Sequence, residues 1–552
     1  MKNLYLRILC LCLFSATLIR PAFGQIKPSA VTQATSLLDL DFEQAERDSM
    51  MDNLNEQKAS YQALHKESIA NSVPPALLFN PLPGNFSPNQ DQYQIVWKLP
   101  EGVRVPARRD QLAFYTVPEL AALLRDRKIT STQLTEVYIK RLKEHGDTLH
   151  CVVTLLEERA MAQARKADLE LKAGLWRGPL HGIPYGVKDL LALSGHPTSW
   201  GAGGFESQML NDTATVIQKL DKAGAVLVAK LSMGALAWGD VWFEGMTRNP
   251  WNLKQGSSGS SAGSASATAA GLVGFSIGTE TWGSIVSPAT RCGVTGLRPT
   301  FGRVSRSGAM ALSWSMDKIG PICRSAEGCA MVFESIRGKD PKDATTRDAA
   351  FNFAQDIDLA GMKIGYVKSR FDNSSYNQSN HAKSLDILRS LGAELIPIEL
   401  ETKLPVYAMS IILNAEAAAA FDELTRSNRD TLLRRQIKNA WPNVFRASRF
   451  IPAVEYIQAN RLRTLLIEEI HQQMQAVDVL VTPSFGQQLL ITNLTGHPCV
   501  VIPNGFLEDG SPASISFLGN LFDEASILGI ARAYQTADQT HRKQPPLFQA
   551  GR

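Results

Sequence analysis

The stretch KQGSSGSSAGSASATAAGLVGFSIGTETWGSIV, from Lys254 to Val286, constrains this chain more than any other. Its first half has the Gly/Ser composition of a flexible linker. A linker stays in water, yet this tract runs without a break into AAGLVGFSIG, an apolar segment suited to an interior. The chain is therefore building a core where it also places many hydroxyls, and those hydroxyls require partners.

The surrounding pattern sets the fold class. Helices with clear starts are predicted after Thr116 (VPELAALLRDRKI), at Ser131-Thr132 (QLTEVYIKRLKEHG) and from Glu157 onward. Short β-rich runs then alternate with helices. GIPYGVKDLLAL, the helix of NDTATVIQKLDKAG and AVLVAKL form one such unit; MKIGYV, NHAKSLDILRSLG and AELIPIEL form another. DVLVTPS and HPCVVIPNGF add strands near the end. Strand, helix, strand at these intervals predicts an α/β protein with a large mixed, mostly parallel, twisted central sheet covered by helices on both faces. Ahead of it, Leu37 to Ser68 is charged, amphipathic and free of Gly and Pro, which predicts an N-terminal helical segment packed on the main body. The Pro/Asn-rich VPPALLFNPLPGNFSPNQ, Val73 to Gln90, reads as an extended connection. The expected organisation is a leader over 1–24, the helical segment and connection over 25–90, and a catalytic domain over 91–545.

The leader reading rests on Lys2 and Arg7, an apolar run from Ile8 to Ile19, and Ala22-Phe23-Gly24. These are the parts of a secretory signal peptide, so the protein is expected to be exported, periplasmic or secreted. The run is too short to span a bilayer, and no stable membrane insertion is expected after its removal. A formal charge of +4 on 552 residues, with no long basic run, gives nucleic acid little support as a partner. Cys151, Cys292, Cys323, Cys329 and Cys499 are scattered and read as small buried hydrophobes, although export would permit a Cys323 to Cys329 bridge. Nine histidines form no HxH or HxxxH pair, so neither a metal nor another cofactor is expected.

For chemistry, two stretches match GxSxG, GSSAG at Gly259 and GFSIG at Gly274. A nucleophile elbow must stand between a strand and a helix; the first follows a Gly/Ser loop and the second enters GTETWG, a poor helix start. A lysine replaces the histidine of a serine hydrolase if burial strips its proton. Lys188 is the candidate, set in HGIPYGVKDLLAL between Val187 and Leu190-Leu191.

LHGIPYGVKD, GSSAGSASATAAGL and GTETWGSIVSPATRCGVTGLRPTFGRVSRSG together resemble the amidase signature family, whose hallmark is a Ser-Ser-Lys triad on an α/β fold. NPWNL at Asn249, GPICRSAEG at Gly320, DVLVTPS at Asp478 and NLTGHPCVVIPNGFLEDGSP from Asn493 extend the similarity over most of the chain from Phe114 to the C-terminus. The resemblance implies Ser284 as nucleophile, in the TGGS-like element Thr281-Trp282-Gly283-Ser284. KQGSSGSSAGS offers two GSS units; family spacing selects Ser260, 24 residues before Ser284, as the bridging serine, and leaves Ser257 and Ser258 as loop residues. It further implies Lys188 as a neutral base, a cis peptide before the bridge, and backbone N–H groups of Thr281, Trp282, Gly283 and Ser284 as oxyanion donors. The expected activity is hydrolysis of a small-molecule carboxylic amide through a seryl acyl-enzyme.

Two departures stand out. Trp282 occupies the place of a glycine, and Val286 that of a frequent arginine. An indole beside the nucleophile would favour apolar or aromatic acyl groups, unless it turns away into the core. Other readings remain open: the glutaminase component of a tRNA-dependent amidotransferase, a binding protein that kept the fold and lost the chemistry, and esterase activity. A homodimer is compatible with all of these.

Overall fold

A computed structural model describes residues 26–549 except 39, 68, 85 and 373–376. The expected leader lies outside the described residues. The chain divides into two compact units, the first ending at Ile69 and the second beginning at Ala70. In the first, helices run over Pro28–Leu37, Gln44–Ser49 and Met51–Leu64, the last two within the stretch whose spacing predicted them. No helix among the described residues is long and apolar enough to cross a membrane.

The second unit is organised by an eleven-stranded sheet. We number its strands β1 Val152–Leu155, β2 Pro184–Lys188, β3 Val226–Leu231, β4 Phe275–Glu280, β5 Thr295–Arg298, β6 Lys318–Cys323, β7 Lys363–Val367, β8 Glu394–Ile398, β9 Val479–Pro483, β10 Cys499–Phe506 and β11 Pro512–Gly519. Their order across the sheet is β1-β3-β2-β4-β6-β5-β10-β11-β9-β7-β8. Every residue of β2, β3, β4, β6 and β9 is buried, which requires cover on both faces.

The predicted large mixed sheet is present, but the balance within it differs from the expected mostly parallel one. Four pairings are parallel (β2 with β3, β2 with β4, β7 with β8, β7 with β9) and six are antiparallel. The cause is local. Two of the four parallel ladders, β2 with β3 and β7 with β8, join strands that a helical pattern announces, because only a crossover can return the chain in the same direction. The antiparallel ladders are built largely by β4, β5, β6 and β11, which arrive without that rhythm. β10 and β11 form a hairpin that turns at Gly510, whose φ is +78°.

Helix starts follow the sequence closely. Thr116 closes a capping box with Glu119, whose Oε2 accepts from the Thr116 N–H at 2.7 Å. The next helix begins one residue earlier than read: Thr130, not Ser131, is the cap, accepting from the Gln133 N–H at 3.1 Å. The extended connection over 73–90 is built into the catalytic unit rather than lying ahead of it. Asn71 and Gln90 hydrogen-bond to backbone at Ala311 and Asp348, so this unit starts some twenty residues before the expected boundary at 91.

The Gly/Ser tract runs from a short strand through a loop into a buried helix, Ala262–Ala269. The helix carries only small side chains, so it lies close against β4, and its hydroxyls satisfy neighbouring groups. Ser264 Oγ donates to the Ile277 carbonyl at 3.1 Å, Ser266 Oγ to the Arg248 carbonyl at 2.8 Å, and Thr268 pairs with Ser276 at 2.9 Å. The composition of a linker here serves close packing, because a helix of larger residues would not fit.

Candidate active site

Lys188 ends β2 at the centre of the sheet's parallel portion, and β4 ends beside it at Glu280. Carboxyl ends of adjacent parallel strands are where α/β sheets present reacting groups. The Lys188 side chain is completely buried, and its Nζ lies 2.8 Å from Ser260 Oγ, 3.2 Å from Ser261 Oγ and 2.8 Å from Thr279 Oγ1. Three hydroxyls thus surround an amine that makes no ion pair among the described residues. Burial pulls its pKa down to about 7, opposed only through space by the Asp317 and Glu280 carboxylates. At neutral pH such an amine accepts a proton.

Ser260 and Ser261 are held by a tight loop ahead of the small-residue helix. The Gly259–Ser260 peptide is cis. A Cβ on Gly259 would stand 1.8 Å from the Gly239 carbonyl oxygen, so no larger residue fits there. Ser261 Oγ donates to the Thr279 carbonyl and accepts from the Thr279 N–H, both at 3.0 Å, which locks this loop to the end of β4. Ser257 and Ser258 are loop residues, as the register choice requires.

Ser284 sits beyond β4 in the turn leading to a helix over Val286–Cys292. Its carbonyl accepts from the Ser261 N–H at 3.2 Å, which sets the two serine segments side by side. The structure does not join the Ser260 and Ser284 hydroxyls by a hydrogen bond. Ser284 Oγ is without a hydrogen-bond partner among the described residues, and the residue keeps 8% of its surface accessible. Gly283 has φ +87°, a conformation other residues adopt only with strain. Among the described residues, the N–H groups of Thr281, Trp282, Gly283 and Ser284 have no acceptor within the protein, whereas those of Ile285 and Val286 both donate to Glu280 Oε2, at 2.9 and 3.0 Å. Four unengaged donors around one small turn can receive a developing negative charge.

Glu280 is the brace that sequence reasoning missed. It is fully buried, and its Oε1 accepts from Arg298 at 2.8 Å and Asn493 at 2.9 Å. Arg298, with backbone and Asn493 donors, outweighs the cost of burial and holds the carboxyl down at about 2. Thr281 is tied separately, donating at 2.5 Å to the half-buried Asp317, which also accepts from the Leu312 and Ser313 N–H groups. Both ends of the turn are therefore anchored, and only its middle is free to meet a ligand. The signal in sequence was weak: Thr279 and Glu280 read merely as part of a poor helix start.

Neither GxSxG match is an elbow. Ser261 is wholly buried beneath Lys188 after a loop, and Ser276 lies inside β4 with its hydroxyl bonded to the Ser264 carbonyl at 2.9 Å. Cys323 and Cys329 are buried free thiols, so the bridge that export would permit is not formed. Trp282 is 39% exposed, which rules out the reading that turns its indole into the core. Among the described residues no cluster of three or more His, Cys, Asp or Glu is arranged to hold a metal ion.

Residues 133–490 match the family model for amidase. The chain belongs to the amidase signature family. Its relatives include a glutamyl-tRNA(Gln) amidotransferase subunit of Coxiella burnetii, 31% identical over 482 residues covering 78% of this chain and 99% of that one. The corresponding protein of Chloroflexus aggregans is 32% identical, over 80% of this chain and all of its own length. Among solved structures, native peptide amidase from Stenotrophomonas maltophilia superposes with TM-score 0.71 at 27% identity, covering 80% of this chain and 100% of that one. An amidase family protein from Bacillus anthracis gives 0.70 at 28%, over 78% and 92%. An amidase signature enzyme acts on amide C–N bonds by hydrolysis or as part of amidotransfer.

Proposed function

We propose that this chain is an exported hydrolase of carboxylic amides working through Ser284, Ser260 and Lys188. The observation that carries the reading is the fully buried Lys188 amine, in contact with hydroxyls rather than carboxylates. Ser284 attacks the amide carbonyl while its proton passes to Ser260 and that of Ser260 to Lys188. Negative charge on the carbonyl oxygen is received by N–H groups of the 281–284 turn. The chain of hydroxyls then returns the proton to the departing nitrogen, the C–N bond breaks, and an acyl group remains on Ser284. Water deprotonated by the same route releases the carboxylate. The Ser260 and Ser284 segments lie side by side, tied by the Ser261 N–H to the Ser284 carbonyl at 3.2 Å, which keeps the two hydroxyls in neighbouring turns. Catalytic hydrogen bonds are commonly loose before substrate arrives.

Ser284→Ala should lower amide turnover by about 10⁴-fold or more and abolish labelling by a fluorophosphonate, with unfolding still cooperative. Near-normal turnover by that variant would end the assignment. Residues 1–24 are proposed as the export leader; a mature protein still beginning at Met1 in the cytoplasm would remove that part alone.

A second reading is favoured by the amidotransferase components among the relatives: a glutaminase that passes ammonia to a partner. The leader speaks for the first reading. Copurification of a second protein with glutamine-dependent amide transfer would decide for the second. Esters are within reach of either, since a serine acylated by an amide is also acylated by an ester.

A further inference from the structure

A cleft opens beside the proposed relay, lined by more apolar than polar surface, with Arg306, Lys342 and Asp343 among its charged residues, a mixture that small-molecule sites share. Thr279, whose hydroxyl touches Lys188, and Thr281, in the oxyanion turn, line it on the side of the relay. Leu190, Met310, Leu312 and Ile319 line its body. The strap from Asn71 to Phe79 also lines it; from Val73 on, this strap is the start of the extended connection read in the sequence.

This strap is fixed at both ends and apolar between them. Asn71 pairs with the backbone of Ala311 as a strand would, Nδ2 donating to its carbonyl at 2.9 Å and Oδ1 accepting from its N–H at 2.7 Å. Phe79 packs edge-on against Phe301, ring centres 5.0 Å apart, and the buried Arg463 guanidinium lies 3.5 Å over its ring. Pro74 and Pro75 restrict the intervening backbone. Leu77 and Leu78 line the cleft yet are 77% and 54% exposed. Adjacent large apolar side chains left in solvent on an anchored segment mark a binding wall. The strap precedes the residues that match the family model.

We infer that the 71–79 strap sets substrate choice, selecting amides that carry an aryl group or an alkyl chain longer than propyl on one side of the scissile bond. The inference rests on the amide-hydrolase reading above. Burying such a group against Leu77, Leu78, Met310 and Leu312 removes apolar surface of both partners from water. The threonines and the oxyanion turn hold the polar amide on the side of the relay.

The test compares kcat/KM in two homologous series, primary amides of lengthening acyl chain and acetamides of lengthening amine substituent, for wild type and a Leu77→Ser/Leu78→Ser variant. One series should rise about fourfold per methylene, the equivalent of about 0.8 kcal/mol per buried CH₂, and the variant should flatten it at least tenfold between the ends. Because the ratio is taken within one preparation, a loss of folded enzyme cancels. Asn71→Ala, which unpins the strap without touching its leucines, should flatten the same series. Two flat series in wild type, or a slope unchanged in both variants, would overturn the inference while amide hydrolysis stands. Absence of both turnover and fluorophosphonate labelling in wild type would instead overturn the hydrolase reading and take this one with it.

Discussion

Lys188 and Lys230 are two completely buried lysines on adjacent parallel strands, β2 and β3. Lys230 lies 2.7 Å from the Asp189 carboxylate and also donates to the Pro197 carbonyl and to Thr198 Oγ1. Lys188 has only hydroxyls. Burial lowers the pKa of both, but Asp189 opposes it directly at Lys230, whereas at Lys188 it falls to about 7. Two amines one strand apart thus differ in kind: one is a cation in a structural pair, the other a base. Desolvation alone does not make a proton acceptor; the neighbours that accompany it decide.

The comparison breaks most readily in activity. Lys188→Met should cost about 10⁴-fold or more in kcat/KM while the protein still unfolds cooperatively, because an apolar chain replaces an amine that is already half neutral. Turnover within tenfold of wild type would put Lys188 in the same structural class as Lys230. Stability should separate them in the opposite sense. Lys230→Met leaves the Asp189 carboxylate buried and unpaired, a loss of about 3–5 kcal/mol in urea unfolding. A loss below about 1 kcal/mol would mean that the pair contributes no more than one at the surface.

How much of this difference was legible in the sequence varies by residue. Lys188 was singled out by its apolar flanks and by the resemblance to the amidase signature family, and the choice of Ser260 over Ser257 was what that family's spacing from Ser284 implied. The parallel strands were legible wherever a helical pattern separated them. Long-range closures were not. Glu280 and Arg298 from two strands and Asn493 from the helix Gln487–Thr495 meet around one turn, and nothing in their local patterns announces that meeting. The Asp189 to Lys230 pair likewise joins residues 41 apart through the register of β2 on β3. The connection from Val73 to Gln90 was read rightly as extended, but proline and asparagine do not predict what that backbone covers.

Acidity offers a finer test. If neutral Lys188 is the base, kcat/KM should fall about tenfold per pH unit below an apparent pKa near 7 and level off above it. The stability consequence has a definite sign. A lysine whose folded pKa lies below its unfolded value of about 10.4 binds fewer protons when folded, so its contribution to stability grows as pH rises from near 7 toward 10. Below pH 7 the folded protein carries the full penalty of a buried ammonium. Lys188→Met escapes that penalty, so its Tm relative to wild type should be more favourable at pH 5.5 than at pH 9. A difference independent of pH would place Lys188 with an unperturbed amine.

The smallest effect concerns a single contact. Thr279 Oγ1 stands 2.8 Å from the Lys188 amine and accepts from it when the amine is charged, so it favours the ammonium form. Thr279→Val keeps the shape and removes that acceptor. Lys188 should then lose its proton more easily, moving the acid limb of the pH profile to lower pH, with the plateau rate reduced by less than about tenfold. A shift to higher pH would mean that the hydroxyl donates to the amine rather than accepting from it. In that case the neutral form, already before any substrate arrives, is the one these three hydroxyls are built to hold.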